Sequence, residues 1–375
     1  MVNTTTNQTA QGTVTSDGPR YPSFNYEMPI EVPDEYEAFL YVVFFILVVA
    51  GNMWVIVAVI REPKLRKSTT NWFIVSLSLS DLLVATFQIP YHFFYEYFPS
   101  VFNIINDNIV VCRTFTWFQW TARCATVNSL VGVGIDRFRA IVQPMRPKIT
   151  GQQAAAIIAI AWIASLGYSA YRPIMYDKAV YTYGNKSTPY CMVNRRYIDI
   201  FLWFRLIDFL VMYLVPLIII SGLYIAMIGT LWFSKGPSNA SNRNKRRAVK
   251  MLSLVVLMFA FSWLPYYWFT LYFTRPQTRP RYMLKHALIY WHIAHTTYVS
   301  NSFINPFLYA YFSESFRKEF YRMFPCLQRF ASTKVGPDSN LTANSKTRTV
   351  KKTEVSTVNS QSNSQSQPSG NESTV

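Results

Sequence analysis

The run Ala38–Ile60 contains no Asp, Glu, Lys or Arg. Coiled as a helix rising 1.5 Å per residue it is about 35 Å long, enough to cross a hydrocarbon core of ~30 Å. One such run commits the chain to a membrane. The composition says the same, since 15% charged residues is low against the ~25% of soluble domains. Four cysteines in 375 residues cannot staple a small disulfide scaffold. A disordered chain, a collagen and a soluble enzyme are excluded with it.

Seven stretches read as membrane helices: Ala38–Ile60, Asn71–Tyr95, Cys112–Ile141, Gln152–Tyr171, Ile198–Phe233, Met251–Phe273 and Ala287–Phe312. The first, fourth and sixth follow from length and apolarity. The others carry polar residues such as Asp81, Arg123, Asp208 and Asn305, which must face other helices or water and point to function. An odd number of spans puts the termini on opposite sides. Fourteen basic residues fall in the loops of one side and ten on the other, a weak positive-inside signal. The flanks of the first span decide the matter. Glu27, Glu31, Asp34, Glu35 and Glu37 precede it without a base, whereas Arg61, Lys64, Arg66 and Lys67 follow it. The expected topology has the N-terminus extracellular and the C-terminus cytoplasmic, with a tail 1–37, a bundle 38–325 and a cytoplasmic segment 326–375. Sequons at Asn3, Asn7 and Asn185 agree with it as N-glycosylation sites. Cys112 and Cys191 fall on the oxidising side, where a disulfide is chemically allowed; Cys124 lies within a span, and Cys326 just past the seventh is open to palmitoylation.

Asn52, Asp81, Asn301, Ser302, Asn305 and Tyr309 sit at mid-depth on the first, second and seventh spans. Amides, hydroxyls, water or a small cation such as sodium can satisfy Asp81 there; a polar clasp of this kind also suits a transporter or channel that uses Asp81 and Asn305. Asp136-Arg137-Phe138 ends the third span, and a charge pair at a helix end is a two-state element. Phe259, Ser262, Trp263 and Pro265 form F-x-x-S-W-x-P in the sixth, where proline removes a backbone hydrogen bond and makes a hinge.

Taken in order, Gly51-Asn52, Leu77-x-x-x-Asp81, Cys112 followed by Asp136-Arg137, Trp162, Pro216 with Tyr224, Phe259…Trp263-x-Pro265 and Asn301-Ser302-x-x-Asn305-Pro306-x-x-Tyr309 place one signature on each helix. This run resembles the rhodopsin-like family of G-protein-coupled receptors over roughly Ala38 to Cys326. Phe138 stands where the family usually has Tyr, and Ser262 where it has Cys. The resemblance implies an all-α, integral membrane bundle of seven transmembrane helices with a short amphipathic eighth helix, at the plasma membrane, working as a receptor and not as an enzyme. It implies coupling to a heterotrimeric G protein, with Arg137 released from Asp136 on activation to meet Tyr224 and Tyr309 near Asn305-Pro306. The wording around Thr126–Phe138 and Trp263–Thr270 looks like receptors for peptides, most like the prokineticin receptors, with the RFamide and neuropeptide Y types near behind. Gln119 occupies the position where amine receptors carry Asp, and the seventh span lacks the Lys of opsins.

An extracellular peptide is therefore expected in the outer half of the bundle. Gln119 and Arg123 share a face of the third helix, Arg205 and Asp208 stand i, i+3 on the fifth and partly neutralise each other, and His92, Glu96, Trp291 and His295 close the ring above Trp263. Past the seventh span, Phe312, Phe316, Phe320 and Phe324 recur every four residues among bases, which makes an amphipathic helix on membrane lipid. Residues 331–375 hold seventeen Ser or Thr and no aromatic residue, a disordered tail suited to receptor kinases and arrestin. The terminal Ser373-Thr374-Val375 fits a PDZ domain. No nucleic-acid partner is expected. The rival reading, a transporter or channel, lacks the internal repeat such proteins usually show.

Overall fold

This computed structural model describes residues 35–183, 186–233, 240–272 and 287–325. Asn3, Asn7, Asn185, Cys326 and Ser373-Thr374-Val375 lie outside the described residues, as does the side chain of Glu96.

The first span is α1 (Glu35–Arg61). After the short α2 (Pro63–Arg66), the second runs as α3 (Thr69–Leu83), a π turn Val84–Gln88, and α4 (Ile89–Tyr97). An outer helix that the sequence reading missed, α5 (Pro99–Asp107), leads to the third span, α6 (Ile109–Val142). Asn108 starts α6 by accepting from the Val110 amide at 2.9 Å, which satisfies a first-turn donor that would otherwise lack a partner. The fourth span is α7 (Gly151–Ser169), opened by a reciprocal capping box between Thr150 and Gln153, and extended by α8 (Tyr171–Met175). The fifth is α9 (Ile198–Phe209), a π turn Leu210–Leu214, and α10 (Val215–Phe233). The sixth, α11 (Ala240–Tyr272), starts well before the expected Met251, and the seventh, α12 (Ala287–Phe312), has the expected bounds. The last is α13 (Glu314–Met323).

Among the described residues five spans are long and apolar enough to cross a membrane by composition alone. The exceptions are α6, which carries Arg113, Arg123, Asp136, Arg137 and Arg139, and α12, with two histidines, two asparagines and several hydroxyls. Much of the polarity that costs these two helices their apolar signature is turned inward. Arg123, Asp136, His295, Asn301, Ser302 and Asn305 are all buried.

Helix α6 packs against α3, α7 and α10. A Cβ on Gly132 would lie 2.7 Å from Phe73 Cδ1, so only glycine lets α6 approach α3 this closely. Ser76 of α3 ties the same region together, meeting Ser129 of α6 at 2.8 Å and accepting from the Trp162 indole of α7 at 3.0 Å. On the other side Asn52 donates to the Ser302 carbonyl at 3.0 Å, joining α1 to α12, and a Cβ on Gly51 would meet Pro306 at 3.0 Å. The phenylalanine stripe of α13 is divided between two environments. Phe316 and Phe320 pack edge-on against Trp54 of α1, whereas Phe324 stays exposed. The helix is docked on the bundle.

A second feature missed from sequence is an outer hairpin, β1 (Tyr176–Tyr183) against β2 (Lys186–Val193), antiparallel from Tyr176↔Val193 to Tyr183↔Lys186. It does not disturb the all-α bundle. Cys191 is joined to Cys112 at the start of α6, as the sequence allowed. Lys178 reaches Asp107 at 2.5 Å and Tyr190 meets Phe102 edge-on, so the hairpin also rests on α5.

Candidate functional site

Below the hairpin a cavity of about 250 Å³ opens among α4, α6, α8, α9, α11 and α12, with Cys191 in its rim. The structure brings His92, Gln119, Arg123, Arg205, Asp208, Trp291 and His295 to its wall. Trp263 lies one layer deeper, in ring contact with Phe259 at 4.9 Å and Tyr298 at 5.1 Å.

The π turn at Val84–Gln88 positions Gln88, a residue the sequence reading overlooked although it stands one helical turn before His92. An extra residue in a helical turn re-aims the side chains beside it, and such turns recur at functional sites. Arg123 donates through Nη2 to Gln88 Oε1 at 3.1 Å and through Nη1 to the Tyr266 hydroxyl. Its guanidinium also sits 4.6 Å from the Trp120 ring, 4.5 Å from Tyr266 and 4.8 Å from Tyr298, the geometry of cation–π attraction. An arginine has donors only. The amide oxygen of Gln88 therefore faces Arg123, and its Nε2 donates to His92 Nε2 at 2.6 Å and to His295 Nδ1 at 3.3 Å. Both rings accept at those atoms, so both are neutral, with their protons on His92 Nδ1 and His295 Nε2. The two rings are 4.0 Å apart, and Trp291 packs on His295 at 3.9 Å.

The expected Arg205–Asp208 pair is corrected. Asp208 accepts from Arg172 Nη2 at 2.5 Å, from the Tyr168 hydroxyl at 2.9 Å and from the Tyr171 hydroxyl at 2.7 Å. Arg205 turns to α11 instead, donating to the Thr270 carbonyl at 3.1 Å. Arg172 counts as a loop base when the sequence is read for topology, yet α8 carries it inward. Its guanidinium stacks 3.4 Å over the Trp120 ring and 4.7 Å from Phe201. Both members of this ion pair are 2% exposed. Gln119 spans back to the π turn Val84–Gln88, donating to the Phe87 carbonyl at 2.9 Å.

Deeper, Asn305 Nδ2 donates to Asp81 Oδ2 at 3.3 Å. Four oxygens at this level (Asn52 Oδ1, Asp81 Oδ1, Asn301 Oδ1 and Asn305 Oδ1) are buried without a donor among the described residues. At the inner end of α6 the Asp136–Arg137 contact is loose, 3.8 Å. Thr69 donates to Asp136 Oδ1 at 2.9 Å and Thr70 to Oδ2, while Arg137 Nη2 donates to Thr70 Oγ1. One hydroxyl of α3 thus bridges the two charges. Tyr224 and Tyr309 are buried nearby, the Tyr309 hydroxyl without a partner.

The family model of the 7 transmembrane receptor (rhodopsin family) matches residues 51–309, the span that contains the cavity, the polar layer and the Asp136–Arg137 end. The chain belongs to that family. This G-protein-coupled receptor is therefore a multi-pass plasma-membrane protein and not an enzyme. It is similar to a QRFP-like peptide receptor of Branchiostoma floridae, 29% identical over 328 residues that cover 80% of each chain. A substance-P receptor of Mus musculus is 27% identical over 305 residues, 76% of this chain and 70% of its own. An allatostatin-A receptor of Bombyx mori is 28% identical over 335 residues, 84% of this chain and 88% of its own.

Proposed function

We propose that the receptor binds an extracellular peptide whose end enters the cavity between Gln119 and Arg123, above Trp263, and that it passes this event to a heterotrimeric G protein. The observation that carries the reading is Arg123, 3% exposed, lining the cavity and engaged, among the described residues, only by neutral groups. A buried guanidinium of this kind gains from a carbonyl acceptor on the ligand. The cavity is small beside the 300–1,000 Å³ usual for drug-sized ligands. It therefore suits the terminal residue or two of a peptide whose remainder lies over the hairpin. Of the two expected ligand types, RFamide-like and prokineticin-like, a short amidated end suits so narrow a site better, and the similarity to a QRFP-like peptide receptor supports the same side. The similarity to substance-P and allatostatin-A receptors supports a peptide in general.

In this reading Trp263 and the Pro265 hinge carry ligand contact to α11, and Arg137 leaves Asp136 to meet Tyr224, Tyr309 and the G protein beside Asn305-Pro306. Asp81, with Asn301, Ser302 and Asn305, is the natural seat of a sodium ion. The four donorless oxygens suit a small hard cation, which would supply charge to the buried carboxylate. The N-terminus is read as extracellular, because Cys112–Cys191 then lies on the oxidising side and Arg137 on the cytoplasmic side. Cys326 remains the proposed site of acylation, and the tail beyond it that of kinases, arrestin and a PDZ partner. The test is guanine-nucleotide exchange on added G protein in purified membranes, over a panel of amidated and disulfide-rich peptides. An amidated peptide should drive exchange at submicromolar concentration. Ion or solute flux without exchange would reverse the reading in favour of a transporter or channel.

A further inference from the structure

The floor of the cavity has donors in excess. Arg123 Nε, His295 Nε2 and the Tyr267 hydroxyl are all buried without a hydrogen-bond partner among the described residues, and the residues that carry them line the same cavity. The tautomer forced by Gln88 makes His295 Nε2 an N–H donor. Ring contacts hold the three together, since Tyr266 lies 5.5 Å from Tyr267 and 5.7 Å from His295 while Arg123 is 4.5 Å from the Tyr266 ring. The Trp263 indole N–H in the layer beneath also lacks a partner. Among the described residues no carboxylate comes within 4.0 Å of Arg123; the nearby Asp208 is spent on Arg172.

Water can satisfy N–H and O–H donors, but it does not neutralise a guanidinium held away from bulk solvent, which costs several kcal/mol even after relaxation. Two features select the missing group. It must be an anion, because every orphaned atom on this wall donates. It should be compact, because Nη1 and Nη2 of Arg123 already donate to Tyr266 and Gln88 and Nε is, among the described residues, its one guanidinium nitrogen without a partner. We propose that in the absence of peptide the cavity floor binds a small monovalent anion, chloride, at Arg123 Nε, the Tyr267 hydroxyl and His295 Nε2. The peptide's acceptor end takes over these donors when it enters. The anion site stands on the free receptor alone and holds whatever the ligand proves to be.

The test uses full-length receptor in lipid nanodiscs without peptide or G protein, so its outcome is separate from that of the exchange assay. Thermal unfolding is followed at constant ionic strength as chloride replaces gluconate. At a few times the dissociation constant, chloride should raise the wild-type midpoint by about 2–4 °C, in a saturable way, and bromide should do the same. Arg123→Gln should remove the shift and Tyr267→Phe should reduce it. If Arg123→Gln does not reach the membrane, the pair Tyr267→Phe with His295→Leu takes its place and should lose most of the shift. Equal wild-type midpoints in the two salts would overturn the proposal. So would an undiminished chloride shift in Arg123→Gln or, where that variant is not recovered, in the Tyr267→Phe/His295→Leu pair.

Discussion

Arg172 and Asp208 form an ion pair that water cannot reach, and the physics of such pairs is asymmetric. Both charges have lost their hydration, and each is tolerable only through the other and through the hydroxyls of Tyr168 and Tyr171. Arg172→Met should therefore cost about 3–5 kcal/mol, because Asp208 stays behind as a buried unpaired charge. Arg172→Met combined with Asp208→Leu should recover most of that loss. Thermal unfolding of the solubilised receptor measures both, and a double variant no better than the single would show that the pair does not act as a unit. Arg123 follows a different rule, since its hydrogen-bond partners among the described residues, Tyr266 and Gln88, are neutral. Arg123→Ala should fold and lower peptide affinity by about 1.5–3 kcal/mol, the scale of a charge-assisted hydrogen bond. Unchanged affinity in a well-expressed variant would mean that the ligand stays among the outer loops. Sequence spacing put Arg123 in the cavity, but it paired Asp208 with the wrong arginine. The i, i+3 rule speaks for neighbours on one helix, and the nearest cation in space came from α8, across a helix boundary that periodicity does not reveal.

At the scale of elements, the two interruptions that matter most are invisible to hydropathy. The π turns Val84–Gln88 and Leu210–Leu214 lie within apolar spans, where one extra residue leaves the composition unchanged but rotates all that follows. The first brings Gln88 under His92 and His295; the second begins just past Asp208. The inner end of α6 shows the same limit. Asp136-Arg137 was legible as a charge pair at a helix end, yet the bridging Thr70 belongs to another helix and is one hydroxyl among many in the sequence. Its position makes a prediction. Thr70→Val removes the donor to Asp136 and the acceptor for Arg137, leaving the charges joined only by their loose 3.8 Å contact. Each lost bond to a charged group is worth about 1.5–3 kcal/mol, and a shift of that size in a two-state equilibrium multiplies the minor state about tenfold or more. Basal nucleotide exchange should therefore rise in Thr70→Val, whereas Arg137→Ala should keep peptide binding and lose exchange. Lowered basal exchange in Thr70→Val would place the hydroxyl on the active side of the switch.

For the whole molecule, the sequence made the bundle legible because seven apolar or half-apolar runs and one signature per helix survive any error in their ends. It left the outer surface illegible, since α5 and the hairpin β1–β2 are set by tertiary contacts and lack strong periodicity of their own. One bond joins the two levels. Cys112 begins α6, the helix that carries Gln119 and Arg123 in the cavity wall and Asp136 and Arg137 at the far end. Cys191 lies in β2, opposite Lys178, which in turn holds Asp107 of α5. The disulfide thus fixes the covering to the helix that runs from the cavity to the Asp136–Arg137 end. Cutting it with Cys112→Ser should cost about 2–4 kcal/mol of stability. The loss should appear mainly as reduced surface expression and reduced peptide affinity, because the hairpin that covers the cavity loses its anchor while the inner half of α6 keeps its contacts with α3. Exchange per bound peptide should therefore change less than affinity does. Surface labelling, radioligand binding and nucleotide exchange on the same membranes separate these three quantities. A variant with normal affinity but defective exchange would mean that the bond tensions the switch, and does not simply hold the covering in place.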